Sequence, residues 1–315
     1  MTLPMGRPMR EVFGETVTEL ASANPRIVML DGDLGSSTKA DLFEAAHPDR
    51  YLQMGIAEQN MLGVAAGLAT LGLIPFISTF VSFAVIRPLD QIRVLIGQTG
   101  LNVKITAGYA GLFTGMAGKT HQVVDDISIM RAMPGMVTIS PADDIEAREV
   151  LRWAAEYQGP TYVRLVRDAT QRLFDESYRF EFGAARVVRE GRDVTLVSTG
   201  SQTPRVVDAA ELLADEGIDA HVVHVPTLKP LDVPTIVAAA ERTGRVITIE
   251  EHSIIGGLGG AVAEVLSEHR PTRLTRLGLR DQYTESAPNA VLLDRYGLSA
   301  ERVAEQVRGL FRRTS

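Results

Sequence analysis

The sequence predicts an α/β protein made of two doubly wound domains, one with a mostly parallel sheet and one that is smaller. Short apolar runs that end in turn residues alternate with longer helical segments, and this rhythm is typical of strands joined by crossover helices. The rhythm stops in a polar stretch at residues 168–191 and then resumes. The 315 residues suffice for about two domains. We therefore expect domains over residues 1–180 and 188–315.

In the first half, strands are predicted where apolar residues run together and then meet turn residues. These runs are residues 26–33, 51–54, 73–79, 101–107, 136–139 and 161–166. Helices are predicted between them, over residues 58–71, 80–96 and 143–157. In the first of these helices Gly63 and Gly67 lie on one face, and this spacing permits very close packing against a neighbour.

The second half repeats the pattern. Strands are predicted at residues 193–198, 220–225 and 245–250, and helices at residues 202–216, 233–242 and 256–268. Near the end, Val303, Val307 and Leu310 form one apolar helical stripe. The glycines at residues 256–260 lack the Gly-x-Gly-x-x-Gly spacing of a dinucleotide-binding loop. We interpret them as a tight turn into a closely packed helix.

Composition and charge exclude several classes of protein. The net charge is −7 and the Lys and Arg residues are scattered, which argues against nucleic acid as the main partner. The chain has no cysteine, so disulfides, thiolate metal sites and a cysteine nucleophile are excluded. The same feature is typical of a cytoplasmic protein, which is the location that we expect.

Residues 61–86 carry no Asp, Glu, Lys or Arg and are long enough to cross a membrane. Gly72 and Pro75 interrupt this segment, and serine and threonine follow them. The pattern favours a buried helix, a strand and a second helix over membrane insertion.

Glu58 stands alone at the N-terminal edge of this apolar segment. No Lys or Arg lies between Glu58 and Arg87, so we expect Glu58 to have no local cation. A carboxyl group that is buried without a cation stays protonated and can donate a hydrogen bond. The plainer interpretation is a helix N-terminal acid that interacts favourably with the helix dipole.

Two aromatic residues and one histidine are candidate site residues. Phe80 and Phe83 are three residues apart at a predicted helix start, hence on one face, where they suit either core packing or stacking against a planar ring. His121 lies in a glycine-flanked polar loop, which favours a site residue over a core histidine, with a solvated loop position as the alternative. Arg10, Ser37 and Arg167 could bind an anionic substrate, although surface charge is the ordinary interpretation of each arginine.

Taken in chain order, the motifs resemble the C-terminal half of transketolase over essentially the whole chain. They are Asp33-Leu-Gly-Ser-Ser37, Gly55-Ile-Ala-Glu58, Ser78-Thr-Phe80-Val-Ser-Phe83, Gly118-Lys-Thr-His121 and Glu250-Glu-His-Ser followed by Gly256-Gly-Leu-Gly. Each motif is weak alone, but the ordered set is specific to transketolase, 1-deoxyxylulose-5-phosphate synthase and the beta subunits of 2-oxo acid dehydrogenases. The resemblance implies a transketolase-like pyrimidine-binding domain and a transketolase C-terminal-like domain.

The resemblance implies roles at the cofactor. Glu58 matches the glutamate that hydrogen-bonds the aminopyrimidine ring of thiamine diphosphate and so promotes removal of the thiazolium proton. Phe80 and Phe83 match the pyrimidine pocket, and Asp33 matches an acid near the cofactor. His121 matches a residue that contacts a substrate hydroxyl group.

The resemblance to transketolase also implies a substrate and a partner. Arg10, Ser37 and Arg167 match positions that hold a sugar phosphate, and the implied reaction transfers a two-carbon ketol unit between sugar phosphates. Full-length transketolases carry a preceding domain that binds the diphosphate and Mg²⁺. We therefore expect this chain to be the beta subunit of a split transketolase, paired with an N-terminal-half subunit in an α₂β₂ assembly.

We expect the Mg²⁺ ligands on that partner subunit and no metal site in this chain. Gly32-Asp33 with Asn60 imitates the spacing of the family's metal motif, but Leu34 stands where that motif has its second glycine.

Two positions depart from the transketolase pattern. Ala117 replaces an aspartate that contacts a donor hydroxyl group, and Tyr109 stands where the family has a further histidine. An unusual keto substrate is therefore one interpretation. The alternatives are a beta subunit of a 2-oxo acid dehydrogenase, a deoxyxylulose-phosphate-synthase-like protein, and a catalytically silent regulatory subunit. The sugar-phosphate residues argue against a short 2-oxo acid as the substrate, and the presence of Glu58 and Phe80 argues against a silent subunit.

Overall fold

The computed structural model describes residues 3–312, which form a seven-stranded sheet, a five-stranded sheet and a two-stranded ribbon. The strands are β1 Met5–Pro8, β2 Ile27–Asp31, β3 Tyr51–Gln53, β4 Ile74–Ser78, β5 Lys104–Ala107, β6 Val137–Ile139, β7 Thr161–Arg164, β8 Ala169–Gln171, β9 Arg186–Arg189, β10 Val194–Ser198, β11 Ala220–His224, β12 Thr227–Lys229, β13 Arg245–Ser253 and β14 Arg273–Leu279.

The α-helices are α1 Met9–Ala23, α2 Gly35–Thr38, α3 Asp41–Ala46, α4 Glu58–Thr70, α5 Leu89–Gln91, α6 Asp126–Ala132, α7 Asp144–Glu156, α8 Thr203–Ala214, α9 Val233–Thr243, α10 Leu258–His269, α11 Asn289–Arg295 and α12 Ala300–Arg312. Short 3₁₀ turns occur at Pro48–Arg50, Gly111–Ala117 and Gly200–Gln202, and π-type turns at Ser82–Ile86 and Ile92–Gly97.

The larger sheet has the order β12-β6-β7-β5-β4-β2-β3, and every pairing in it is parallel except that of β12 with β6. Its inner strands β2, β4, β5 and β7 are buried along their whole length, as strands covered on both faces must be. The smaller sheet has the order β14-β13-β10-β11-β9, with only β9 antiparallel. The predicted fold class is confirmed.

Strand β12 joins the two halves of the chain, because it follows β11 in sequence but pairs with β6 of the larger sheet. One core cluster accordingly contains residues of both sheets, such as Ile105 and Ile247. The predicted boundary between residues 180 and 188 stays a prediction.

The polar stretch predicted as a linker is partly ordered structure. Strand β8 pairs antiparallel with β1, and Tyr178 is buried, with its hydroxyl group donating to Glu146 Oε1 at 2.5 Å. The linker prediction fails there because polar residues in this stretch satisfy their hydrogen bonds within the fold.

The helix predicted over residues 80–96 is not one continuous α-helix. Phe80 forms an isolated bridge with Gly108, and two π-type turns flank the short helix α5. Pro88 has no N–H to donate and therefore interrupts the helical hydrogen bonds in the middle of the predicted segment.

The close packing that Gly63 and Gly67 permit is not found among the described residues. A Cβ atom built on either glycine would meet no atom within 4 Å. Helix α4 buries Met61, Leu62 and Ala65 instead, so the glycines lie on its other face.

The glycines at the start of α10 pack closely, as predicted. Glu250 accepts hydrogen bonds from the backbone N–H groups of Leu258 at 2.7 Å and Gly259 at 2.9 Å. A Cβ atom on Gly257 would lie 2.0 Å from Glu250 Oε2. The helix N-terminus is thus occupied by a carboxylate of the same chain, which excludes a dinucleotide phosphate there.

Within residues 3–312, no helix is long and apolar enough to cross a membrane. The apolar residues 61–86 form most of α4, then β4 and a π-type turn. The cytoplasmic location stays a prediction.

Candidate functional site

The turn from β3 into α4 places Glu58 at the first position of that helix. Gly55 adopts φ 67°, a conformation that glycine takes without steric cost. Gln53 orders this turn, since its Oε1 accepts from the Gly55 N–H at 2.9 Å and its Nε2 donates to Asp31 Oδ2 at 3.1 Å. Asp31 is fully buried. Hydrogen bonds that run from buried Asp31 through exposed Gln53 therefore order the turn that precedes Glu58.

Glu58 has a cationic partner, contrary to the expectation from the sequence. Its side chain is 4% exposed, and Oε1 accepts a hydrogen bond from Arg87 Nη1 at 2.5 Å. The Arg87 guanidinium also lies over the ring of Phe83, with Cζ 3.9 Å from the ring centroid. The expectation fails because the π-type turn at Ser82–Ile86 brings Arg87 beside the start of α4, although 29 residues separate it from Glu58.

The predicted aromatic residues lie together. The rings of Phe80 and Phe83 have centroids 5.8 Å apart and planes at 20°. The ring of His121 stands edge-on to both, 5.3 Å from Phe83 and 6.2 Å from Phe80. The sheet holds Phe80 in place, because the N–H group of Val81 donates to the Gly108 carbonyl at 2.8 Å. His121 thus belongs to this aromatic cluster, and Glu58 is connected to it through Arg87.

Tyr109 connects this cluster to the predicted anion-binding residues. Its ring stacks on Phe80 with centroids 3.7 Å apart, and its hydroxyl group donates to the Ser37 carbonyl at 3.1 Å. Arg10 Nη1 donates to the same hydroxyl oxygen at 3.4 Å. Arg167 lies over the Tyr109 ring, with Cζ 5.6 Å from the centroid. The structure therefore gathers Arg10, Ser37 and Arg167 around one side chain.

Arg167 remains a cation in this setting. The Tyr109 hydroxyl group raises the pKa of Arg167 above its ordinary value, and the charge of Asp168 adds to the effect. Arg167 Nη1 donates to Asp168 Oδ1 at 3.3 Å.

A cavity of about 490 Å³ opens beside these residues, and its wall includes Ser37, Phe80, Tyr109, Ala117 and Arg167. This volume is in the range that binds small molecules. Glu58, Phe83 and His121 are not part of this wall, and they adjoin it through Phe80.

Asn289, from the second half of the chain, also lines the cavity, and the sequence motifs did not indicate it. Asn289, the first residue of α11, donates through Nδ2 to Asp168 Oδ2 at 3.0 Å. Its Oδ1 accepts from the backbone N–H of Gly115 at 3.0 Å. No local pattern could have found this contact, since 121 residues separate Asn289 from Asp168.

Asp33 lies apart from the cavity wall, in an exposed turn after β2 with φ 66°. Its backbone N–H donates to Gln53 Oε1 at 3.1 Å, so it is tied to the turn that precedes Glu58. Over residues 3–312 we find no group of three or more His, Asp or Glu side chains that could hold a metal ion.

Two family models match the chain. Residues 6–172 match the model described as "Transketolase, pyrimidine binding domain", and residues 183–303 match "Transketolase, C-terminal domain". A "Putative transketolase C-terminal section" from Methanocaldococcus jannaschii is 42% identical over 302 residues, which cover 95% of each chain.

Two further relatives add to this result. A "6-deoxy-6-sulfo-D-fructose transketolase subunit" from a Clostridium species (strain MSTE9) is 39% identical over 295 residues, 94% of this chain and 92% of the relative. The solved structure described as "Split gene transketolase, inactive beta4 tetramer" superposes with a TM-score of 0.87 at 45% identity, covering 96% of this chain and 98% of that one.

Proposed function

Because the chain belongs to the transketolase family and carries its pyrimidine-binding and C-terminal domains, we propose that it is one subunit of a thiamine diphosphate-dependent transketolase. One observation carries the proposal: the buried carboxyl group of Glu58 pairs with Arg87, whose guanidinium group lies over the Phe83 ring, and Phe83 in turn packs with Phe80 and His121. When bound, thiamine diphosphate supplies the chemistry that carries a two-carbon ketol unit from one sugar phosphate to another.

The residues present suit the aminopyrimidine end of this cofactor. Phe80 and Phe83 offer aromatic faces to a planar ring. Glu58 offers a carboxyl group that is shielded from water and can hold or release a proton at Oε1. We assign Asp33 an indirect role near the cofactor, because its backbone N–H donates to Gln53 in the turn that precedes Glu58.

The second part of the proposal concerns the substrate. Arg10, Ser37 and Arg167 bind the phosphate group of the sugar, since Ser37 and Arg167 line the cavity and Arg10, which does not, donates to the Ser37 carbonyl and the Tyr109 hydroxyl group behind it. His121 contacts a substrate hydroxyl group. The Clostridium relative is named for a sugar sulfonate, which carries another oxyanion at the end of a sugar. Two cations exceed what a short 2-oxo acid requires, so the sugar phosphate is preferred over the dehydrogenase alternative.

The third part concerns the partner. The closely similar solved structure contains four copies of one chain and is described as inactive. We propose that an N-terminal-half subunit supplies the diphosphate and Mg²⁺ ligands and completes an α₂β₂ enzyme.

Reconstitution tests the proposal. The chain alone is expected to show no turnover and weak binding of thiamine diphosphate. Mixing it with a chain that carries the diphosphate-binding half is expected to produce ketol transfer from a panel of ketose phosphates and sugar sulfonates. Turnover by this chain alone contradicts the need for a partner. Decarboxylation of 2-oxo acids without ketol transfer by the pair favours the dehydrogenase alternative.

A further inference from the structure

Arg87 makes the two contacts that the proposed function assigns to the cofactor ring. Its Nη1 donates to Glu58 Oε1 at 2.5 Å, and its guanidinium plane lies over Phe83 with Cζ 3.9 Å from the ring centroid. A guanidinium group is planar, delocalised and edged with N–H donors, so it stacks on aromatic rings and donates in its plane. An aminopyrimidine ring is likewise planar and delocalised, and its amino group carries N–H donors.

These contacts leave little room for a second planar group. Glu58 is 4% exposed, so another donor cannot approach Oε1 from solvent while Arg87 holds it. The Phe83 ring is also contacted by Phe80 and His121. A ring that pairs with Glu58 and stacks on Phe83 therefore requires Arg87 to move.

Arg87 is placed so that it can move. Its side chain is 44% exposed, whereas Glu58 is buried. Its backbone follows one π-type turn and precedes Pro88, and its carbonyl oxygen accepts from Gln59 Nε2 at 3.2 Å. The backbone is thus anchored while the guanidinium group borders solvent. Within the described residues, rotation of the side chain breaks the hydrogen bond to Glu58 and the cation–π contact with Phe83.

We propose that Arg87 is a displaceable internal ligand that holds the Glu58 carboxyl group in position and leaves it when the cofactor ring binds. This inference rests on the proposed function. It assigns Arg87 a positioning role that the family resemblance does not supply. Cofactor binding is then an exchange, in which the protein gives up an ion pair and a cation–π contact for the ring contacts.

Equilibrium binding to the reconstituted enzyme tests the exchange. Thiamine diphosphate with Mg²⁺ is titrated into the wild-type pair and into pairs that carry Arg87→Met or Arg87→Lys, with calorimetric detection. Arg87→Met is expected to bind about tenfold more tightly, because it no longer gives up a half-exposed ion pair and a cation–π contact. Arg87→Lys is expected to show a smaller gain, since it keeps a charge but cannot stack as a plane.

Two controls test whether the effect of Arg87 on affinity is specific to this side chain and to the cofactor ring. Arg93 lies on the same segment, 65% exposed and paired with Asp90 at 3.1 Å, so Arg93→Met is expected to leave the affinity unchanged. Inorganic pyrophosphate with Mg²⁺ lacks the ring, and its affinity is expected to be the same for wild type and Arg87→Met. Thermal melting of each chain verifies that the variants fold.

The possible outcomes distinguish a failure of the exchange at Arg87 from a failure of the proposed function. Equal or weaker binding of thiamine diphosphate by a folded Arg87→Met pair overturns the exchange but leaves the proposed function standing. An equal gain in affinity for thiamine diphosphate and for pyrophosphate also overturns the exchange, because the effect of Arg87 is then not exerted on the cofactor ring. Failure of every pair, wild type included, to bind thiamine diphosphate overturns the proposed function and the exchange with it.

Discussion

The ring of Tyr109 stacks on the ring of Phe80, with centroids 3.7 Å apart and planes at 21°. Phe80 belongs to the aromatic cluster beside Glu58, and the Tyr109 hydroxyl group contacts Arg10 and Ser37. This one contact joins the proposed cofactor end of the site to the proposed phosphate end. Substitutions at the two ends should therefore affect different kinetic constants.

Removal of the Glu58 carboxyl group tests the cofactor end. In the reconstituted enzyme, Glu58→Ala is expected to lower kcat by about 10² or more, the scale of a lost proton-transfer group. Glu301 is a matched control, since it also lies in the first turn of a helix but is exposed. Glu301→Ala should leave kcat unchanged. A near-normal rate for Glu58→Ala removes Glu58 from the mechanism.

Removal of the Arg167 guanidinium tests the phosphate end. Arg167→Met should raise KM for a phosphorylated donor by about tenfold or more, the value of a charge-assisted hydrogen bond. KM for the same ketose without its phosphate should not change. Arg152, which is 43% exposed and pairs with Glu19 and Glu149, provides a control substitution. If Arg167→Met raises both KM values equally, Arg167 does not bind the phosphate group.

Asn289 is expected to shape the cavity from the second half of the chain. Asn289→Ala removes the hydrogen bonds to Asp168 and Gly115, which should lower the free energy of unfolding by about 1 kcal/mol and raise KM. Asn102 makes similar bonds to Gln158 and Gly159 away from the cavity. Asn102→Ala should therefore change stability but not KM. Equal KM values for the two variants contradict a role of Asn289 in the site.

His252 predicts a specific pH dependence of stability. It is fully buried, its Nε2 accepts from the Ile127 N–H at 3.2 Å, and its Nδ1 donates to the Ser253 carbonyl at 2.7 Å, so the ring is neutral. Burial lowers the pKa of His252 to about 4; nearby Asp126 opposes the shift and Arg164 reinforces it.

Between pH of about 6.5 and 4 the unfolded chain therefore binds a proton that the folded chain does not, and stability falls as the pH falls through this window. The loss is about 3 kcal/mol, at about 1.36 kcal/mol for each pKa unit. Chemical denaturation at several pH values should show a smaller loss for His252→Gln than for wild type. His269→Gln, at a side chain that is 51% exposed, should match wild type. If the free energy of unfolding depends on pH in the same way for all three proteins, the prediction is contradicted.

Two glycines, Gly257 at the N-cap of α10 and Gly67 inside α4, should respond to alanine in opposite directions. Gly257→Ala places a methyl group 2.0 Å from Glu250 Oε2 and should destabilise the chain by about 1–3 kcal/mol. At Gly67 a Cβ atom meets nothing within 4 Å, so Gly67→Ala should stabilise the chain by about 0.5–1 kcal/mol. Thermal melting of the isolated chain measures both changes in stability. A loss of stability at Gly67 would show that its helix face is not open.

The structure contains helices that the pattern analysis does not predict. Helices α6 and α11 have seven residues each, too few to show a helical period clearly. Helix α1 is also not predicted, although its buried residues Val12, Phe13 and Val17 have helical spacing. The failure over residues 80–96 has a local cause that the sequence contains, since Pro88 marks the interruption.

The sequence by itself determined the alternation of strands and helices, the mostly parallel sheet and the motifs that gather around the site. These follow from burial patterns within short segments, because a strand or helix records its own environment in the period of its apolar residues. The tertiary structure alone decided that Arg87 pairs with Glu58, that β12 completes the larger sheet and that Asn289 reaches Asp168. Such contacts join residues far apart in the chain, and packing and the need to satisfy buried polar groups select them among many partners that no local pattern distinguishes.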